Sequence, residues 1–415
     1  MRKIQTVQQR VIRLVQYMTI CLFSISVSAQ NGVEVPEEFR NASRMTEKAN
    51  LFLASLSIDE RSEVLRPIDS IERGNWSNLP NGIVERNGLR LGNLSETQRI
   101  AMHDLLRASL SSQGYLKVTG IMHMDEVLGE SLSNPPEGLM GIDVGGFDPG
   151  PVEAAGLTAG LTDDDGQALD IPPLQFGTGN YWVSIFNMPS QDQEWGWLIG
   201  GHHLAVSFTV SEGRVAFTPL FLGSQPLMLR RGVEAGWSPL YHESQRGFDL
   251  MQSLNSSQRE IALQSEERVY DVIVGPGRRD SLGGFEGLKA SQMSPEQKLL
   301  LRLVVLEYVG NADYSSAQMQ IEAIEETGWD ELWFSWRGPV NDQDDLFYYR
   351  VHGQRILIEL AWEARNHIHA IVRDPINDYG EDWLGRHYIE DHPDISALME
   401  QIRAQIKEGE AGLAQ

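Results

Sequence analysis

The sequence predicts an α+β fold in which helical segments precede antiparallel strands, and the helix-then-sheet order occurs twice. Three observations carry that expectation. Four segments carry helix-start chemistry: Ser57-Ile-Asp-Glu60, Ser95-Glu-Thr-Gln98, Asn255-Ser-Ser-Gln258 and Ser294-Pro-Glu-Gln297 each set a side-chain acceptor at an N-cap position with Glu or Gln three residues on. Segments rich in aromatic and β-branched residues, punctuated by Gly and Pro, follow in two runs. Short stretches of the two runs also resemble one another.

Residues 1–29 come first. Arg2, Lys3, Arg10 and Arg13 precede an apolar run through Ile20 to Ile25 and the small residues up to Ala29, the layout of a secretory signal peptide with cleavage expected after Ala29. A membrane anchor is the rival, but the uncharged stretch Leu14 to Ala29 is short of the roughly 20 residues that span a bilayer. A lipoprotein centred on Cys21 is disfavoured by bulky Ile20 before it. Cleavage would remove four basic residues and no acidic one from a chain whose formal net charge is −24. It would also remove the single cysteine, so no disulfide is expected and stability must come from a core. The acidity excludes nucleic acid and anionic membrane surfaces as expected partners, because each is repelled at long range. A soluble exported protein, secreted or periplasmic, is the expectation.

Each helix start is followed by apolar residues at helical spacing, as Leu299, Leu300, Leu303, Val304 and Tyr308 follow Ser294, and Pro295 stands at the first helical position. Strands are expected over Tyr181–Phe186, Leu204–Val210 and Arg214–Thr218, and again over Leu332–Trp336, Phe347–Arg350, Arg355–Leu360 and Ile368–Arg373. Trp182–Phe186 parallels Trp333–Trp336, Gly201–Val206 parallels Gly353–Ile358, and Val215–Pro219 parallels Ile371–Pro375. The pattern is that of a diverged duplication. Residues 30–240 form the N-terminal helix and sheet half, with a Gly, Pro and Asp-rich insertion at about 131–175, and residues 241–393 form the C-terminal half. Residues 394–415 are expected to be a terminal helix and tail.

These blocks carry a resemblance. Leu94–Arg99 with Leu110–Tyr115, Trp195–Leu204, Thr218–Gly223, Tyr348–Gly353 and His367–Gly380 resemble the domain-of-unknown-function family 3500, found mainly in secreted bacterial and fungal proteins, over about residues 45–392. The resemblance implies export and no particular activity, so function must be argued from the residues.

Histidines stand out. Strand alternation puts His202 with Leu204, Val206 and Phe208, a packed face, and His203 with Ala205, Ser207 and Thr209. His367, His369 and Arg373 share one face of the later strand, opposite Ile368, Ala370 and Val372. Two histidines two apart on a strand reach one ion, so His203, His367, His369 and His387 are the candidate ligands of zinc or iron. Arg373 and Asp378 are candidate catalytic groups, Asp378 as a carboxylate that fixes the tautomer of an imidazole. The spacing from His367 to Asp374 only weakly matches a cupin ligand pattern. The leading function is a metal-dependent hydrolase of a small or saccharide-like substrate.

Two metal-free alternatives stay open. His203, His367 and His369 with Arg373 and Arg355 would form a cationic cleft that grips an anionic group or offers a general acid and base. Alternatively Trp195, Trp197, Trp237, Trp333 and Trp336 would line a carbohydrate groove, although Trp is more often core. No Gly-x-Ser-x-Gly elbow and no phosphate-loop or dinucleotide glycine signature occurs. Asp163-Asp-Asp-Gly166 begins like a calcium loop but reaches Leu174 where the bidentate Glu belongs, so it is expected to be a turn.

Overall fold

The structure, a computed structural model, describes residues 41–133 and 174–380 apart from 280, 282, 343 and 344. The signal-peptide segment, most of the insertion, the Asp163 turn, His387 and the terminal helix lie outside the described residues.

All four helix starts form as capping boxes. Helices α1 (Asn41–Ser55) and α2 (Ile58–Val64) lead into strand β1 (Leu65–Arg66); β2 (Leu89–Arg90), α3 (Glu96–Ser109) and α4 (Ser112–Ser133) follow. The caps also interlock. Gln98 Nε2 reaches back to Ser55 O at 3.2 Å and Glu60 Oε2 at 3.0 Å, tying the start of α3 to that of α2. The second run repeats the order with α5 (Tyr241–Ser253), α6 (Ser256–Ala262), β8 (Leu263–Ser265), β9 (Leu288–Lys289), α7 (Pro295–Val309) and α8 (Tyr314–Thr327). There Gln297 Nε2 reaches Ser253 O at 2.8 Å and Gln258 Oε1 at 2.9 Å.

The remaining strands are β3 (Tyr181–Phe186), β4 (Trp195–Gly201), β5 (Leu204–Ser211), β6 (Arg214–Ala216) and β7 (Leu220–Ser224), then β10 (Trp333–Arg337), β11 (Tyr348–His352), β12 (Leu357–Ala364) and β13 (His367–Arg373). All join one sheet ordered β1-β3-β4-β5-β7-β13-β12-β11-β10-β8. The expected antiparallel sheet is therefore corrected to a mixed one, because β1 runs parallel to β3 and β8 parallel to β10. The two strand runs meet where β7 pairs antiparallel with β13.

The short strands β1, β2, β8 and β9 escaped the sequence-based expectation, and so did two longer ones. β4 holds Gly196, Gly200 and Gly201, which lower strand propensity. Gly201 is required there, since a Cβ would stand 2.3 Å from the Tyr181 ring. β7 is buried throughout, so it shows no alternation.

Helices cover one face of the sheet. Met45, Ala49, Phe52 and Leu53 of α1, Met102, Leu105 and Leu106 of α3 and Leu301, Val304 and Tyr308 of α7 share a core with Val183, Ile185, Trp197, Val206, Phe208, Phe334 and Leu360. Each fully buried side chain of this size contributes on the order of 1.5–3 kcal/mol. The opposite face is covered by loops: Trp76, Val272, Val274 and Tyr379 pack on Ala205, Phe221, Tyr348, Ala361 and Ile371. Strand alternation places His367 and His369 on that loop-covered face.

Candidate metal centre

The cluster begins with a turn. His202 and His203 link β4 to β5, whose strands pair Gly201 with Leu204, and His203 takes a left-handed φ of 61°, uncommon for a residue with a side chain. Its backbone is held at both ends: His203 N donates to Asn78 O at 3.1 Å, and Gly223 N donates to His203 O at 2.7 Å. In the neighbouring strands His369 pairs with Gly223. His203, Gly223 and His369 thus form one row across the sheet. Gly223 is the floor, because a Cβ there would lie 2.9 Å from His369 Cδ2 and 3.1 Å from His203 Cδ2.

Three imidazoles converge on that floor. His367 Nε2 lies 2.8 Å from His203 Nε2 and 3.0 Å from His369 Nε2, and one ligand nitrogen from each of the three lies within 4.8 Å of the others. Glu363 Oε2 approaches His367 Nε2 at 3.2 Å and His369 Nε2 at 3.5 Å from the β12–β13 hairpin. On the far side of its ring His369 Nδ1 faces Asp271 Oδ1 at 2.8 Å. Asp271 is itself fixed by the Val272 N–H at 2.7 Å and by Arg278 at 3.1 Å.

This donor set fits a cation. A neutral imidazole has one N–H and one lone pair, and His369 places its N–H on Nδ1, toward the Asp271 carboxylate. Its Nε2 is then a lone pair. His367 Nε2 faces two nitrogens at once, and a single proton satisfies only one of them. An ion at roughly 2.0–2.1 Å from each nitrogen satisfies all three, after the rings move apart by a few tenths of an ångström. Burial, followed by the neighbouring histidines, holds His203 and His367 well below the usual imidazole value, so both rings are neutral and present lone pairs near pH 7. Burial works against the Asp271 carboxylate, but its hydrogen bond to His369 and the Val272 N–H hold it below its usual value. Burial raises Glu363.

The other expected site residues lie elsewhere. His202 is buried, as expected, and its Nδ1 bonds the Asp125 carboxylate at 2.6 Å. Arg373 shares the face of His369, yet stands four residues along β13, about 13 Å away at strand rise. Its guanidinium is taken up by Asp378 Oδ2 at 2.6 Å, Val274 O and Gly275 O. Asp378 bonds Arg373 and the Asp374 N–H, so the expected contact with an imidazole is replaced by an arginine clamp. Arg355 and Asp374 pair at 2.8 Å. Trp195, Trp197 and Trp336 are fully buried in the helix-side core rather than lining a groove.

Sequence reasoning missed Asp271, Glu363 and Gly223. Asp271 is separated by 98 residues from His369 and carries no spacing signal. Glu363 is the extra residue at a register shift between Trp362 and Ala364, and that bulge, which local spacing does not announce, turns it toward the histidines. Gly223 follows a continuous apolar run and reads as a strand end.

The fold and the cluster together define a class: an α+β protein with one large mixed sheet, helices on one face and a histidine trio under the loops of the other. A family profile described as "Protein of unknown function (DUF3500)" matches residues 38–381, and the chain belongs to that family. No curated protein and no solved structure matches.

Proposed function

We propose that this is an exported metal-dependent enzyme whose ion is held by His203, His367 and His369, and that it hydrolyses a small or saccharide-like substrate. The observation that carries the reading is the meeting of three Nε2 atoms in a row where protons alone leave lone pairs in conflict. Zinc or iron suits such an imidazole set. A divalent ion there would supply Lewis acidity and lower the pKa of bound water. The chain's own groups do the rest. Asp271 holds the His369 N–H on Nδ1 and so keeps Nε2 aimed at the trio. Glu363, with its carboxylate beside two of the Nε2 atoms and a raised proton affinity, is the group placed to take and return a proton.

The anion-cleft alternative is weakened, because Arg373 is committed to Asp378 and two carbonyls and Arg355 pairs with Asp374. Elemental analysis of purified protein, paired with a panel of ester, amide and glycoside substrates before and after chelation, tests the reading. Bound divalent metal and chelator-sensitive turnover are expected. Metal-free protein with unchanged turnover would sink it.

We infer further that the halves are copies of one unit. The pairs Leu65 with Ile185 and Leu89 with Val183 in the first run have counterparts in Leu263 with Trp336 and Leu288 with Phe334 in the second. The strand order is likewise the same from either end. Superposing residues 41–224 on 241–373 tests this, and a poor fit beyond the individual helices would refute it.

Export rests on the N-terminal composition. Mature protein from periplasm or medium is expected to begin at Gln30, and an intact start on cytoplasmic protein would contradict it.

A further inference from the structure

Directly behind the trio sits a second histidine that the metal reading does not use. The His202 ring stacks on the His203 ring with centroids 3.7 Å apart and planes 29° from parallel. Its Nδ1 lies 2.6 Å from Asp125 Oδ1 on α4. Both partners are buried, with His202 at 5% and Asp125 at 1% relative exposure. The other Asp125 oxygen accepts the Gly177 N–H at 2.7 Å, while the neighbouring Glu126 takes Thr178 N at 2.8 Å. Phe176 closes the outer edge of His202 at 5.4 Å, and Tyr181 OH bonds the His202 carbonyl at 3.0 Å. The His202 ring is therefore fixed at its nitrogen, its carbonyl and its edge.

An ionisable pair withdrawn from water is costly, and hydrophobic residues of the same volume often replace such pairs without loss. A packing role alone is a weak reason for Asp125 and His202 to stand here. Their location suggests another. A metallated imidazole becomes electron-poor, and the face of an imidazole whose N–H is bound to a carboxylate is electron-rich. Stacking the second on the first favours the metal-bound ring. The stack also covers one face of the His203 ring at the turn where His203 takes its positive φ.

We propose that Asp125 and His202 form a positioning dyad: the carboxylate polarises and orients His202, and His202 in turn holds and tunes the His203 ring as a metal ligand. This rests on the metal reading above. The dyad touches neither the ion nor a substrate, so it acts only through His203.

The test uses cobalt(II) alone as the probe on the full mature chain. Cobalt affinity and the visible ligand-field bands are measured for the parent protein, Asp125→Asn, His202→Phe and the double variant, alongside the thermal midpoint of each metal-free protein. Phe keeps a stacked ring without the nitrogen. The double variant also removes the buried charge that could unfold His202→Phe. Loss of cobalt affinity in the folded variants, with displaced ligand-field bands, is the expected result. Parent-like affinity and bands in the folded variants, with only the thermal midpoint lowered, would make the dyad purely structural and overturn the proposal. A parent protein that binds no cobalt would overturn the metal reading and this proposal together.

Discussion

The Asp271 carboxylate receives the Nδ1 proton of His369 at 2.8 Å across 98 residues of chain. That single contact joins a loop to the sheet, and it decides which nitrogen of His369 faces His203 and His367. Asp271→Asn retains the size and removes the charge. The expected outcome is metal affinity lower by ten- to a hundred-fold, with the fold retained, because outer carboxylates of ligand histidines carry about that much. Calorimetric titration of the apo protein with zinc measures it, and an unchanged affinity would show that His369 needs no such partner.

His369 and Arg373 lie on the same strand face but have different fates. His369→Ala should strip the bound metal from purified protein. Arg373→Ala should retain it while losing about 3–5 kcal/mol of stability, since it leaves Asp378 buried without its partner. Metal content by mass spectrometry together with urea denaturation separates the two. Loss of metal from a folded Arg373→Ala protein would contradict its commitment to Asp378 away from the trio, while unchanged substoichiometric metal in both variants would eliminate the metal reading.

Much of this was written locally in the chain. Capping boxes at Ser57, Ser95, Asn255 and Ser294 need only four neighbouring residues, so they were readable one at a time and all formed. His367 and His369 declared their shared face through strand alternation. What joined them to His203 is long-range pairing of β7 with β5 and β13, and neither that pairing nor the Asp271 loop leaves a mark in local spacing. Arg373 misled for the same reason: parity gives the face of a residue, while its partners Asp378, Val274 and Gly275 come from a turn and a distant loop.

Gly223 supplies a steric prediction. A methyl group added there would sit 2.9 Å from His369 Cδ2 and 3.1 Å from His203 Cδ2, inside normal contact, and both rings are packed in the sheet. Gly223→Ala should push the rings apart, costing about 1–3 kcal/mol as overpacking does, and weaken metal binding. Stability of the apo variant and its zinc affinity are the two readouts. A variant as stable and as tight as the parent would mean that the floor is looser than the 2.9 Å approach implies.

The pH dependence follows from the depressed proton affinities of His203 and His367, which arise first from burial and then from neighbouring imidazoles. In the unfolded chain both titrate near 6.5; in the folded chain they stay neutral to lower pH. Between those limits the unfolded state binds more protons, so apo stability should be full above about 6.5 and fall progressively as pH drops through the folded values. Metal sharpens the effect, because protons compete for the same nitrogens and affinity declines over the same range. Denaturation midpoints of apo protein from pH 8 to 4, set against those of His203→Gln, measure the contribution, and the variant should show a shallower decline. If both proteins lose stability in parallel, the carboxylates rather than the histidine trio govern acid sensitivity. If zinc affinity instead rises toward pH 5, the ligands are not neutral imidazoles and the three nitrogens must meet for some purpose other than holding a cation.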